Sequence, residues 1–200
     1  MTRGHPRSPV VVTGCGTINA LGPDAASFWE RLVRGECGIL PHAGLLGGGA
    51  DLLAAAVADP LPPLPAGRPA LSRTEHLVLV AAMEAANQAK LHLWEDRDRI
   101  AVVIGTTTGG IREVEEAFLP RGTLAEAPRP SLLAFEKAQA ADAVAHRLAA
   151  SGPRLTLQTA CASGASAIIV GAAMLLEGQA DVVLAGGSDA LARITLAGFR

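Results

Sequence analysis

The sequence predicts an α/β protein built on a mainly parallel, mixed sheet with helices on both faces, and three observations carry that expectation. Runs such as Arg99–Thr106 (RIAVVIGT) and Asp181–Ala185 (DVVLA) are almost wholly apolar, as strands buried on both faces are. Segments with helix start and stop signals alternate with them, the pattern of crossover units. One of those helices, Ala162–Leu176 (ASGASAIIVGAAMLL), is apolar or small all round, so it should be buried on every side. One sheet cannot bury it so. A helix of this kind belongs between two sheets, and because 200 residues supply strands for about one, a second layer is expected from outside them.

Taken in order, Ser8–Thr13 is a β-branched run closed by Gly14 and Gly16, which predicts a buried strand followed by a tight turn. After Pro23 and Asp24, the stretch AASFWERLVRGE places Phe28, Leu32 and Val33 among charges and ends at Gly35, predicting a short amphipathic helix. Residues 40–70 form an irregular Gly/Pro-rich excursion with one extended piece near Leu52–Val57. Ser72 and Glu75 have the spacing of a capping box, so a helix should run from there to about Leu91. Arg99–Thr106 is the next strand, with Thr107–Gly110 as its outgoing turn. Ile111–Phe118 is helical, 120–130 a loop, and Ser131–Ala150 a helix that stops before Gly152-Pro153. Leu155–Gln158 makes a short strand into Cys161; Ala162–Leu176 is the apolar helix, ended by Gly178; Asp181–Ala185 is the last strand, running into Gly186-Gly187.

Composition narrows the function classes. Half of the residues are hydrophobic and the formal net charge is −2 with no basic block, so a packed core is expected and a nucleic-acid partner is not. Cysteines 15, 37 and 161 are odd in number and far apart, without the paired spacing of a zinc site or redox couple. The apolar run after the basic start is too short for a secretory signal, which points to the cytoplasm. The long uncharged run between Arg154 and Glu177 reads as strand, turn and helix, because Gln158, Thr159, Cys161, Ser163 and Ser166 crowd its first half; no membrane partner is expected.

Cys161 is the candidate catalytic residue. A cysteine that ends a strand and opens a helix has its sulfur near orphan backbone N–H groups and the positive end of the helix dipole, both of which favour thiolate. The small neighbours Thr159-Ala160 and Ala162-Ser163-Gly164 leave room for a long thin chain. The bland alternative is a small buried hydrophobe.

The segment TACASG around Cys161 resembles the active-site motif of β-ketoacyl-acyl-carrier-protein synthases. In the same order along the chain, VVVTGCG, FWERLVRGECGI (28–39), IGTTTGG (104–110) and GQADVVLAGGSDAL (178–191) are similar to the recurrent signatures of that family. The resemblance implies a thiolase-like half-fold with a buried nucleophile helix. It treats residues 1–200 as an N-terminal ketosynthase domain lacking its C-terminal half. It also implies a role for Cys161: the thiol accepts an acyl group from the phosphopantetheine arm of acyl carrier protein. Decarboxylative condensation with malonyl-carrier protein would follow, in fatty-acid or polyketide synthesis, with no cofactor of the protein's own. The implied partners are acyl carrier protein, a second copy or a ketosynthase partner in a heterodimer that pairs the strand before Cys161, and a complementary C-terminal half. The start of the chain is more like discrete synthases than domains of giant modular ones, and the cysteine favours a catalytic subunit over a non-catalytic chain-length partner.

In the family two histidines, a lysine and a second oxyanion donor lie in the C-terminal half. None of His5, His42, His76, His92 or His146 falls in a motif similar to those sites, so the chain alone is expected to be inactive in condensation. A non-catalytic interaction half is the competing reading. Other motif readings are weaker. VVVTGCGTINALG approximates a dinucleotide fingerprint, but Asn19 occupies the third-glycine position and no acidic strand end follows. IGTTTGG lacks the G-K-[ST] ending of a phosphate loop, and TACASG lacks the G-x-C-x-G of a hydrolase elbow.

Overall fold

A computed structural model describes residues 9–43, 51–64, 71–118 and 139–199. Its centre is the strand predicted from RIAVVIGT. This strand, β3 (Ile100–Gly105), is buried at all six positions. The element order around it is α1 (Ala25–Val33), β1 (Leu40–Ala43), β2 (Asp51–Ala54), α2 (Arg73–Gln88), β3, α3 (Ile111–Phe118), α4 (Gln139–Leu148), β4 (Arg154–Leu157), α5 (Ser163–Leu176), β5 (Val182–Gly187) and α6 (Arg193–Gly198). Strands β4-β3-β5 form a parallel sheet, and β1 and β2 a separate antiparallel ribbon.

Alternation along β3 divides the core in two. Ile100, Val102 and Ile104 pack with Val78, Leu79 and Ala82 of α2 and Val144 of α4. Ala101 and Val103 turn to the other face and meet Ala167 and Met174 of α5. Each fully buried valine or isoleucine there contributes about 1.5–3 kcal/mol by leaving water. The predicted class, a parallel sheet with helices on both faces, is what the chain adopts.

The capping box forms as its spacing demands. The Ser72 hydroxyl accepts from the Glu75 amide at 3.2 Å, and the Glu75 carboxylate accepts from the Ser72 amide at 2.7 Å. The predicted helix to Leu91 ends at Gln88, and a 3-10 turn, Leu91–Leu93, follows. Asp24 caps α1 by accepting from the Ser27 amide at 2.7 Å. Gly35 and Gly178, the expected helix stops, have φ of 73° and 71°, where only glycine sits without steric cost.

Two linked expectations need correction. Residues 9–18 form no strand: Val11 and Val12 are 67% and 82% exposed, because no neighbouring strand is available to them among the described residues (Ser8 lies outside these). Nor are Gly14 and Gly16 turn formers; the turn comes later, at Asn19–Gly22, closed by paired backbone hydrogen bonds of 2.9 and 3.2 Å. The two glycines let the segment lie flat on α2, where a Cβ on Gly16 would collide with the Ala81 carbonyl and approach the Ala85 nitrogen at 2.8 Å. Cys15 and Thr17 donate their amides to Gln88 and Glu84 on the same face of α2. Within 40–70 the extended piece expected near Leu52–Val57 forms as β2, and it pairs with β1, a strand the sequence did not indicate. The sheet buries one face of α5, and among the described residues nothing covers the other, in line with the expectation that a second layer comes from outside them. Ser163, Ala167, Gly171 and Met174 face the sheet, while Ile168 and Ile169 are 59% and 69% exposed. The predicted loop 120–130 and the first part of the helix predicted from Ser131 lie outside the described residues.

Candidate active site at the C-terminal rim of the sheet

The strand register sets the site. Gly105 is level with Leu157 on one side and with Gly187 on the other, so the loops leaving all three parallel strands emerge side by side. Ligand sites of open parallel sheets assemble at this edge. The three loops are 106–110, 158–162 and 188–192.

Cys161 occupies a 3-10 turn, Ala160–Ala162, between β4 and the first residue of α5, and it is exposed. The N-cap of α5 is Ala162, which supplies no side-chain cap. Thus the thiol lies just ahead of the uncapped N-terminal end of a fourteen-residue helix, as the sequence predicted. Ala160 has φ 50°, a left-handed conformation that costs an L-residue about 1–2 kcal/mol and persists only where its surroundings hold it. Ser163 does part of that. Its hydroxyl donates to the Ala160 carbonyl at 2.7 Å and accepts from the Thr159 amide at 2.9 Å. The Thr159 and Ser166 hydroxyls are bonded at 2.8 Å. Gly105 makes room for this turn: a Cβ there would meet the Ser163 backbone and come within 2.7 Å of the Gly164 nitrogen.

Asp189, from the loop after β5, binds the loop after β3. Its carboxylate accepts from the Thr106 hydroxyl at 2.8 Å, the Thr107 amide at 2.9 Å, and the Thr108 amide and hydroxyl at 2.8 and 2.7 Å. Beneath it the buried Thr74 hydroxyl donates to the Gly109 carbonyl at 2.6 Å and accepts from the Ala190 amide at 3.2 Å. The Ser188 hydroxyl donates to the Thr74 carbonyl at 3.0 Å. The first turn of α2 therefore locks both loops from below. Glu115 of α3 caps α6 by accepting the Arg193 and Ile194 amides at 2.8 and 2.7 Å.

A cavity of about 930 Å³ lies beside the rim, lined by Arg31, Arg73, Arg112, Glu115 and Asp189 among others. It does not include Cys161. Its charges are largely paired, as Arg73 with Asp59 and Arg112 with Glu116, so proximity to the thiol makes the rim, not this cavity, the better candidate for chemistry. Among the described residues no group of three or more His, Cys, Asp and Glu could hold a metal ion, and no helix is long and apolar enough to cross a membrane. The uncharged run from Arg154 is strand, 3-10 turn and helix, as read from its composition.

Of the histidines, His76 meets the Pro62 carbonyl at 2.7 Å; His42, His92 and His146 lie on β1, the 3-10 turn after α2, and α4, and His5 is outside the described residues. The sequence placed Thr107–Gly110 as the turn leaving β3 but gave Asp189 no role. The available signal was an acid two residues beyond Gly186-Gly187, at the end of a strand parallel to the one that ends in three threonines.

A parallel α/β sheet with a cysteine on a strained turn at its C-terminal rim defines a class of thiol-bearing α/β site. Residues 64–200 match the family described as "Beta-ketoacyl synthase, N-terminal domain", and the chain belongs to that family. It is 31% identical over 205 residues to 3-oxoacyl-acyl-carrier-protein synthase 2 of Staphylococcus aureus (strain COL), covering 95% of this chain and 48% of that protein. The corresponding protein of Synechocystis sp. is 31% identical over 209 residues, with the same coverage of 95% and 48%. Among solved structures, the ketosynthase ApeO of Xenorhabdus doucetiae, in complex with its chain length factor ApeC, superposes with a TM-score of 0.82 at 28% identity, over 99% of this chain and 51% of that one. The fold is thus the thiolase-like one of ketosynthases, and the chain spans about half the length of the curated relatives it matches.

Proposed function

We propose that Cys161 is the acyl acceptor of a β-ketoacyl-acyl-carrier-protein synthase acting in fatty-acid or polyketide synthesis. The observation that carries this reading is the placement of an exposed thiol, within TACASG, on the strained turn that opens α5. In the first half-reaction the thiol attacks the thioester carbonyl on the carrier's phosphopantetheine arm. A carbon–sulfur bond to Cys161 forms, the carrier's thioester bond breaks, and the proton passes to the departing carrier thiol. The protein needs no cofactor of its own for that exchange. Condensation with malonyl-carrier protein would require histidines and an oxyanion donor supplied by a complementary half. The partners proposed are acyl carrier protein, that half, and a second copy or a ketosynthase-like subunit such as the chain length factor that accompanies ApeO. Strand β4, an edge of the sheet among the described residues with Leu155 exposed, suits pairing across such a dimer, and a cytoplasmic setting accords with these partners.

A second reading, a non-catalytic interaction half, is favoured by the exposed Ile168 and Ile169 of α5 and by Val11 and Val12. Incubation with an acyl-pantetheine thioester and intact-mass analysis separates the two. The catalytic reading expects one added acyl group, lost in Cys161→Ala. A chain that stays unacylated, or is acylated equally in the variant, leaves the interaction reading.

A further inference from the structure

We infer that Asp189 is the positioning residue for Cys161 and that Thr107 is the link through which it acts. The inference rests on the acyl-acceptor reading above. It concerns a residue that never touches the thiol.

Four donors converge on one oxygen of Asp189: the hydroxyls of Thr106 and Thr108 and the amides of Thr107 and Thr108, at 2.7–2.9 Å. The second oxygen accepts from the Thr107 amide at 3.1 Å. Two consecutive backbone amides held by one carboxylate fix the backbone of Thr107, and hydrogen bonds to an ionised acceptor are roughly twice as strong as neutral ones. That fixes where the Thr107 side chain goes. Its hydroxyl donates to the Ala160 carbonyl at 3.1 Å, and Gln158 returns a bond from its side-chain amide to the Thr107 carbonyl at 3.3 Å. Ala160 is the residue in the left-handed conformation, with φ 50°, and Cys161 follows it. Ser163 holds the same carbonyl from within the turn; Thr107 is the hold from outside. The connection therefore runs from the end of β5, through a carboxylate, across the loop of β3, to the peptide that aims the thiol.

The alternative is that Asp189 merely staples the 106–108 loop. The two differ in what Cys161 feels. In the full 200-residue chain, the rate of alkylation by iodoacetamide is followed at each cysteine by peptide mass spectrometry. Cys15 and Cys37 are also exposed and serve as internal references. Thr107→Val keeps the amide bonds to Asp189 and removes only the link; it should slow Cys161 roughly fivefold, the factor one hydrogen bond commands, with Cys15 and Cys37 unchanged. Thr107→Ser keeps the hydroxyl and should restore the rate. Asp189→Ala should slow Cys161 by roughly tenfold or more, since it releases several charge-assisted bonds. If Asp189→Ala does not fold, the two Thr107 variants decide alone. A Cys161 rate in Thr107→Val that is unchanged or raised, or a fall shared by Cys15 and Cys37, overturns the inference. Alkylation does not need acyl transfer, so failure of the wild-type chain to accept an acyl group would sink the acyl-acceptor reading and leave this test intact.

Discussion

The rim of the sheet and the outer face of α5 are built on opposite terms. At the rim, the polar groups of Thr74, Thr106 and Ser163, which are buried, are matched by partners within the chain. On α5, Ile168 and Ile169 are exposed within a helix that has no charged residue between Ser163 and Leu176. Buried polar groups are costly unless satisfied, whereas contiguous exposed apolar surface marks a surface made for contact. The buried hydroxyls of the rim are satisfied within the chain, whereas the outer face of α5 leaves apolar side chains in water.

The sharpest way to break the rim is through Gly105. Gly105→Ala places a methyl group against the Ser163 backbone, which cannot give way as a side chain end could, and should cost about 3 kcal/mol. The check is the urea midpoint; a loss below about 0.5 kcal/mol would mean α5 does not sit on β3 as described. Thr106→Val keeps the shape but orphans the Gly109 amide, which donates to the Thr106 hydroxyl at 3.1 Å. A loss of about 2 kcal/mol is expected by the same measurement.

Acid should act on the periphery more than on the rim. The carboxyls of Asp24, Asp59 and Asp181 are held below their ordinary value: Asp24 by the Ser27 amide and hydroxyl, Asp59 by its bond to Arg73, and Asp181 by its bond to Arg99. A lowered folded-state value means the unfolded chain binds the proton more readily. The stabilisation is complete above the unfolded value of about 3.9 and is lost as pH falls through the lower folded values. Asp59 and Asp181 are exposed and Asp24 is half-buried at the surface, so the loss should be small and weaker still in high salt. Urea midpoints at several pH values from neutral to acid should fall in that window, and Asp181→Asn should flatten the fall.

The smallest effect belongs to the other region. Ile169→Ser should change the stability of the chain by no more than about 0.5 kcal/mol, because the side chain is already in water. Placed with a covering partner, the same variant should weaken association. A large loss in the chain alone would show that the face is covered already.

How much of this was legible in the sequence follows the same division. The strands around Gly105 and Gly187, the capping box at Ser72 and the turn before Cys161 are local signals, and each lies within two or three residues of its expected place. What escaped depends on partners distant in sequence. Val10–Val12 has strand composition but finds no strand beside it among the described residues. The helix α6 has its amide caps on Glu115, 78 and 79 residues away, so no local start signal precedes it. Pro41 conceals β1, since proline is confined to strand edges and a two-stranded ribbon has nothing else. Asp189 meets its threonines only because β3 and β5 run in register to a common end.

The three exposed cysteines permit the most direct measurement, since one molecule supplies both test and control. Exposed to a limiting acyl-pantetheine thioester and digested, the wild-type chain should carry the acyl group on the Cys161 peptide at least tenfold more than on Cys15 or Cys37. That preference should disappear when urea unfolds the rim. Equal acylation of the three, in the folded chain, would contradict the assignment of Cys161 as a thiol organised for acyl transfer.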